Sequence, residues 1–128
     1  MEIAVERLTA LVLLLTCLSH IAAPRAWHLL FERIRVGGET AGLANAAVHL
    51  PLGLMIVAFH NVWTWPEAVV TVIGWALLLK GTLHLLFPQL AQRTLNLPGE
   101  AKQAERRYRL AGALMLPLAL TIGWIALR

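Results

Sequence analysis

Residues 13–24 read LLLTCLSHIAAP and residues 77–88 read LLLKGTLHLLFP, and this near repetition decides the fold. In both stretches three leucines precede a histidine and then a proline, 64 positions apart. A second set recurs 66 positions apart, and a two-residue difference in a loop reconciles the offsets. Its members are Ala47, Leu50, Pro51, Leu52, Leu54 and Ile56, repeated as Ala113, Leu116, Pro117, Leu118, Leu120 and Ile122. We therefore predict two tandem repeats, of about residues 1–65 and about residues 66–128.

The composition is that of a membrane protein. Hydrophobic residues make up 59% of the chain and the mean hydropathy is +0.68. Four apolar blocks of about 20 residues are each long enough to cross a bilayer as a helix. They are residues 3–23, 42–62, 68–87 and 108–127. Since lipid leaves no backbone group unpaired and no strand-like alternation is visible, we predict an all-α single transmembrane domain over residues 1–128, built as two parallel repeats of a helical hairpin.

The first block also has some features of a cleavable signal peptide. Ile21 and Ala23 offer a small-residue cleavage site. However, the start of the chain carries Glu2 and Glu6 along with Arg7, whereas a signal peptide begins with a positive charge. We therefore expect the first block to be a retained membrane helix, as the repeat also requires.

Basic residues predict the orientation of the chain. They cluster in the first and third connections, whereas residues 61–67 contain none. The cluster members are Arg25, Arg33 and Arg35, then Arg93, Lys102, Arg106, Arg107 and Arg109. Because such loops stay cytoplasmic, we expect a multi-pass protein of the inner (plasma) membrane with both termini on the non-cytoplasmic side. The net charge of +4 then reflects this topology and contact with anionic lipid headgroups rather than nucleic-acid binding.

The two long connections differ in character. In the first, Trp27, Leu30, Phe31 and Ile34 recur with helical spacing, which predicts an amphipathic helix at the membrane interface. The second, residues 89–105, is more polar and is interrupted by Pro98 and Gly99, which predicts a looser surface segment.

Polar side chains within the apolar blocks are the candidate functional residues, because ionisable groups in a membrane are costly and usually face a bundle interior. Helical spacing groups them into one stripe on each of the first three membrane helices. The resulting candidate polar pathway comprises Glu6, Thr16, His20, Asn45, His49, His60, Lys80 and His84. The alternatives are structural hydrogen bonding for the histidines and, for Lys80, extension of its ammonium toward the headgroups.

Two prolines occupy matching positions of the repeat. Pro51 and Pro117 each free the carbonyl four residues earlier, on Ala47 and Ala113. Either these are tolerated kinks, or they form a pair of hinges or ion ligands.

Five histidines also raise the possibility of a haem or metal site, because neutral imidazole binds haem iron and many metals. The sequence contains no H-E-x-x-H signature, and Cys17 is the only cysteine. No serine nucleophile motif is recognisable. We therefore expect no cofactor and no enzymatic activity, with a haem- or metal-binding protein as a remote alternative.

The chain contains His60-Asn61-Val62-Trp63, followed by Thr71, Gly74-Trp75, Lys80-Gly81 and Pro88. With these residues it resembles small uncharacterised four-helix bacterial inner-membrane proteins. The resemblance implies the fold and no activity. The small multidrug-resistance transporters are similar in size but use a mid-membrane glutamate in their first helix, and Glu6 lies too near the start of the helix to match it.

Two functions of different classes fit the sequence. The first is a non-catalytic accessory, assembly or scaffold subunit that packs against a larger membrane complex or against copies of itself. The second is a small transporter or proton-conducting unit whose polar stripes line a path, with the repeats related by an axis along the membrane normal.

Overall fold

The computed structural model describes residues 1–90 and 101–128. Within these residues the chain is helical and has no strand. Five helices follow one another: α1 (Glu2–Ala22), α2 (Pro24–Val36), α3 (Thr40–Phe59), α4 (Ala68–Leu86) and α5 (Ala101–Ile125). All except α2 are long and apolar enough to cross a membrane. This confirms the predicted all-α chain with four candidate spans.

Two helix boundaries differ from the sequence prediction. α3 ends at Phe59, three residues before the predicted end, because the backbone of His60 leaves helical geometry while its N–H bonds the Ile56 carbonyl at 2.7 Å. α5 begins at Ala101, seven residues before the predicted start at Tyr108. The charged first turns of α5 are helical but not apolar, so a hydropathy pattern could not include them.

The two helices that contain the repeated motif end in the same way. α1 stops before Ala23 and α4 before Phe87, and each of these residues donates its N–H to the carbonyl four residues earlier at 2.8 Å. A proline follows each of them, Pro24 and Pro88. Because the residue before a proline is disfavoured in helical geometry, the proline of the motif sets both ends.

The helices form two compact units, one containing α1 and α5 and the other containing α3 and α4. In the second unit α3 and α4 are antiparallel, and four glycines bring their backbones together. A Cβ added at Gly42 would overlap Pro88, and a Cβ added at Gly53 would overlap the backbone of Leu78. A Cβ added at Gly74 would overlap the side chain of Ile56. At Gly81 the added Cβ would lie 2.7 Å from the Leu50 Cα. Small residues permit such close approach between membrane helices.

In the first unit α1 and α5 are also antiparallel. A Cβ at Gly112 would lie 2.7 Å from the Cys17 carbonyl oxygen, and one at Gly123 would lie 4.0 Å from the Ala10 Cβ. Near the other end of the pair, Arg7 Nε donates to the Ala126 carbonyl at 3.3 Å. The buried side chains of this unit include Cys17, Ile122 and Ile125.

The connection between α1 and α3 is helical, as the spacing of its apolar residues predicts. α2 carries an ion pair between Glu32 and Arg35, and this interaction raises the pKa of the Arg35 guanidinium. The Trp27 indole donates to Ser19 Oγ at 2.9 Å. Trp27 is thus tied to the end of α1.

Candidate functional site

The most unusual polar contact in the membrane-spanning part of the chain joins Lys80 and His49. The Lys80 Nζ lies 3.0 Å from the His49 Nε2. His49 Nδ1 lies 2.8 Å from the Asn45 carbonyl oxygen. A carbonyl only accepts hydrogen bonds, so Nδ1 carries a proton. With Lys80 as an ammonium, which only donates, Nε2 accepts through its lone pair and His49 is neutral.

This contact joins the middle of α3 to a position of α4 that lies six residues before the helix end. His49 is the tenth of the 20 residues of α3, and Lys80 is the thirteenth of the 19 residues of α4. The Lys80 side chain is exposed on the surface of the chain, whereas His49 is half-buried. In this conformation the lysine is directed to the central turn of α3 rather than extended toward a helix end.

Further polar groups surround the pair. His84, one turn after Lys80, is buried and close enough for the lysine charge to act on it. Two buried side-chain atoms here, His84 Nδ1 and Asn45 Oδ1, have no hydrogen-bond partner among residues 1–90 and 101–128. The structure thus brings together four of the eight predicted pathway residues: Asn45, His49, Lys80 and His84.

No carboxylate accompanies this cluster. Within residues 1–90 and 101–128, Lys80 has no ion-pair partner. The sequence contains no aspartate, and its seven glutamates lie outside the central turns of the spans. They are Glu2, Glu6, Glu32, Glu39, Glu67, Glu100 and Glu105. Among the described residues of its unit, the Lys80 side chain is therefore in contact with a neutral group, His49, and with no carboxylate.

A second polar cluster closes the other end of the α3–α4 pair. His60 and Thr71 are fully buried, and His60 Nδ1 lies 3.2 Å from Thr71 Oγ1. The Thr71 hydroxyl also lies 2.6 Å from the Val62 carbonyl oxygen and 3.4 Å from that of His60. Asn61 Oδ1 accepts from the indoles of Trp63, at 3.1 Å, and Trp75, at 3.4 Å. This cluster fastens the residues after α3 to the start of α4.

Close packing separates the two clusters of this unit. Between them along the helices, Gly53 lies against the backbone of Leu78, and Gly74 lies against Ile56. Ile56 is itself buried. Packing that excludes even a single added carbon leaves no room for water at these two levels. His60 is therefore not continuous with Lys80 along the α3–α4 interface.

The remaining predicted pathway residues, Glu6, Thr16 and His20, belong to the α1–α5 unit. Glu6 is buried, and Thr16 donates to the Val12 carbonyl of its own helix. His20 Nδ1 lies 2.8 Å from the Thr16 carbonyl oxygen, and the ring stacks on Trp27 with 4.0 Å between centroids. Thr9 Oγ1 is buried without a partner. The polar stripe of α1 thus makes mostly local contacts.

The predicted hinge residues lie inside continuous helices. Pro51 falls within α3 and Pro117 within α5, and both are exposed. Thr121 donates to the Pro117 carbonyl at 2.9 Å. The hinge role stays a prediction.

Among residues 1–90 and 101–128, no three His, Cys, Asp or Glu side chains converge as a metal site would require. His49 and His84 have Lys80 as their neighbour, and a cation repels a metal ion. Of the predicted loose surface segment, residues 89–105, residues 91–100 lie outside the described residues. Residues 101–105 are helical as the start of α5, so the prediction is wrong there.

Sequence reasoning missed Thr71 and Asn61 as structural polar groups. Thr71 had been noted only within a general resemblance, since a threonine in an apolar block satisfies its hydroxyl within its own helix in many cases. Its spacing of 11 residues from His60 was the signal in the sequence that could have linked the two side chains.

Comparisons with protein-family models, curated proteins and solved structures found no match for this chain.

Proposed function

We propose that this chain is a non-catalytic accessory or assembly subunit of a larger membrane complex. The observation that carries the proposal is the placement of Lys80, which is exposed at mid-span with a neutral histidine as its only hydrogen-bond partner in the described residues. On insertion scales a lysine at the centre of a membrane helix costs about 2.5–3.5 kcal/mol, and the cost falls toward the helix ends. Another protein surface against Lys80 would remove that penalty.

The exposure of the spans also supports an assembly role. Only 22–28% of each span is buried within the chain. In α4 the exposed positions Val72, Trp75, Leu79 and Leu83 recur at helical spacing as one apolar face, and Lys80 lies at the edge of this face beside Leu83. An apolar helix face with a polar group at its edge is suited to pack against another helix in a membrane.

A small conducting unit is the second candidate, and the Lys80–His49 contact favours it because a lysine and a histidine can exchange a proton. The packing at Gly53 and Gly74 argues against a path along the α3–α4 interface. A conducting path would have to use the exposed side of the cluster.

Proton flux distinguishes the two candidates. The purified chain is reconstituted in liposomes with an internal pH dye, and a pH gradient is imposed. We expect the gradient to decay at the same rate as in protein-free liposomes, and Lys80→Leu to make no difference. A faster decay that Lys80→Leu abolishes would overturn the accessory role and establish conduction.

We further propose that the two halves of the chain are tandem repeats, and equivalent contacts in the two units support this. Arg7 corresponds to Thr71 at an offset of 64, and His60 corresponds to Ala126 at an offset of 66. Arg7 donates to the Ala126 carbonyl, and Thr71 Oγ1 lies 3.4 Å from the His60 carbonyl oxygen.

A second pair of contacts follows the same correspondence. Ala10 faces Gly123 in one unit; in the other, Gly74 packs on Ile56 and a Cβ at Gly74 would also lie 3.5 Å from the Val57 Cγ2. The same offsets of 64 and 66 relate these positions. Two independent contacts therefore obey the alignment that the sequence motifs define.

The orientation with both termini outside the cytoplasm is also proposed, and so is an interfacial position for α2. The Arg- and Lys-rich connections support the first. Its predicted apolar face supports the second: Leu30 is exposed and Trp27, Phe31 and Ile34 are partly exposed, so these side chains gain a partner if α2 lies on the apolar edge of the bilayer. Arg33 and Arg35 would then meet anionic headgroups.

A further inference from the structure

We infer that the partner of Lys80 is a transmembrane helix of another protein that carries an aspartate or glutamate at the depth of the Lys80–His49 pair. This inference rests on the proposed accessory function and adds the chemistry of the partner. Three observations support it: the charge of Lys80, its position in α4, and the lack of a carboxylate in the central turns of this chain's own spans.

The charge argument starts from His49. Its Nε2 accepts one hydrogen bond from the Lys80 ammonium, which has three donors. A neutral acceptor orients the ammonium but does not neutralise it. Of the groups that occur in membrane helices, a carboxylate both accepts the remaining donors and cancels the charge. His49 thus holds Lys80 in a fixed position for an acidic group that comes from outside the unit.

A second copy of this chain does not fit that description. Its glutamates lie at the ends of the spans or in the connections, and there is no aspartate. Glu6, in the second turn of α1, is the glutamate closest to a membrane interior among the described residues, and it is buried. A copy could cover the apolar positions around Lys80, but it would bring no carboxylate to the central turns.

The surface around Lys80 fits a single helix. Ala76 and Leu83, one turn before and one turn after Lys80, are both exposed on the side of α4 that carries the lysine. Phe87, two turns after Lys80, continues this side at 53% exposure. A partner helix packed on this face would bury apolar side chains on both sides of one ion pair, which fixes its register along the membrane normal.

A membrane-soluble carbodiimide tests the contact directly. The reagent converts a carboxyl group into an O-acylisourea, which the Lys80 amine attacks to form an amide while a urea departs. The bond joins the two groups without a spacer, so it forms only between side chains in contact. The chain has two lysines, Lys80 and Lys102, which makes the assignment of the linked peptide by mass spectrometry straightforward.

The experiment uses the full chain, tagged at one terminus and expressed in its own cells, with native membranes treated before extraction. We expect an amide between Lys80 and an Asp or Glu within an apolar segment of another protein. Lys80→Arg removes the adduct but keeps the complex, because arginine preserves the charge and cannot form the amide. Lys80→Leu lowers the recovered complex by about tenfold or more. Lys102→Arg, the matched control, changes neither.

Three results overturn the inference while leaving the accessory function intact: a complex that survives Lys80→Leu, a complex in which Lys80 forms no adduct, or an adduct to a glutamate of a second copy. A chain that leaves native membranes without any bound protein overturns the accessory function itself.

Discussion

The Lys80 Nζ and the His49 Nε2 lie 3.0 Å apart and join the central part of α3 to α4 across 31 residues of sequence. The protonated Nδ1 of His49 is bound to its own helix at the Asn45 carbonyl, so the ring cannot turn without losing a hydrogen bond. A charged side chain is thereby fixed at mid-span on an exposed face. The proposed role of the chain in assembly develops from this one relationship.

Gly81 should tolerate no side chain, because an added Cβ would lie 2.7 Å from the Leu50 backbone nitrogen and Cα. We expect Gly81→Ala to lower the free energy of unfolding in mixed micelles by about 1–3 kcal/mol through overpacking. Gly123→Ala is the matched control, since the atom nearest to its added Cβ is the Ala10 Cβ, 4.0 Å away. It should be neutral or stabilising by up to about 1 kcal/mol. Equal effects of the two substitutions would contradict the close packing of α3 on α4.

Thr71→Val should destabilise the α3–α4 unit. The substitution keeps the shape but removes the hydroxyl next to His60 Nδ1 and the Val62 carbonyl oxygen, all in a buried setting. The expected loss in the same unfolding assay is about 1–3 kcal/mol. Thr121→Val, at an exposed position where the hydroxyl bonds only its own helix, should change stability little. A silent Thr71→Val would show that the cluster does not hold the end of the hairpin.

The repeat predicts that contacts can be exchanged between the units. The double substitution Ala10→Gly and Gly123→Val gives the α1–α5 unit the two residues that occupy the equivalent positions of the α3–α4 unit, Gly74 and Val57. We expect Gly123→Val alone to destabilise and Ala10→Gly to compensate, with a coupling of about 0.5–3 kcal/mol in a double-mutant cycle. Strictly additive effects would count against equivalence of the two positions.

Both termini should lie outside the cytoplasm. Fusions after residue 128 or before residue 1 to a reporter that is active only in the cytoplasm should be inactive, and fusions in the connection at residues 37–39 should be active. The reason is that the long connections carry the arginines and lysines while residues 61–67 carry none. Activity at either terminus would reverse the orientation.

The length of the apolar blocks predicted the four spans, because a helix must be about 20 residues long to cross a bilayer. The helical spacing of apolar residues predicted the helical first connection. Hydropathy says little about where a helix begins or ends in water, so the early end of α3 at Phe59 and the early start of α5 at Ala101 were not foreseen.

The candidate site was only partly predictable for a different reason. Helical spacing placed Lys80 and His84 on one side of a helix and Asn45 and His49 on one side of another, as the structure shows for the cluster they form. It also placed His60 in the same stripe, although His60 lies beyond the helix end and binds Thr71. Spacing reports angles around one helix, whereas contacts between helices depend on packing at residues such as Gly53 and Gly74.

The mass of the particle that contains this chain in its own membrane shows whether the chain is a subunit of a larger complex. Membranes that carry the tagged chain are extracted without detergent into polymer-bounded discs, and the protein content of each particle is determined by native mass spectrometry. For an assembly subunit held through Lys80, we expect a mass above the 14.1 kDa of the chain, from at least one other protein, for the unaltered chain and for Lys80→Arg, and the chain alone for Lys80→Leu. A particle that contains only this chain in all three cases would show that the chain is not a subunit of a larger complex.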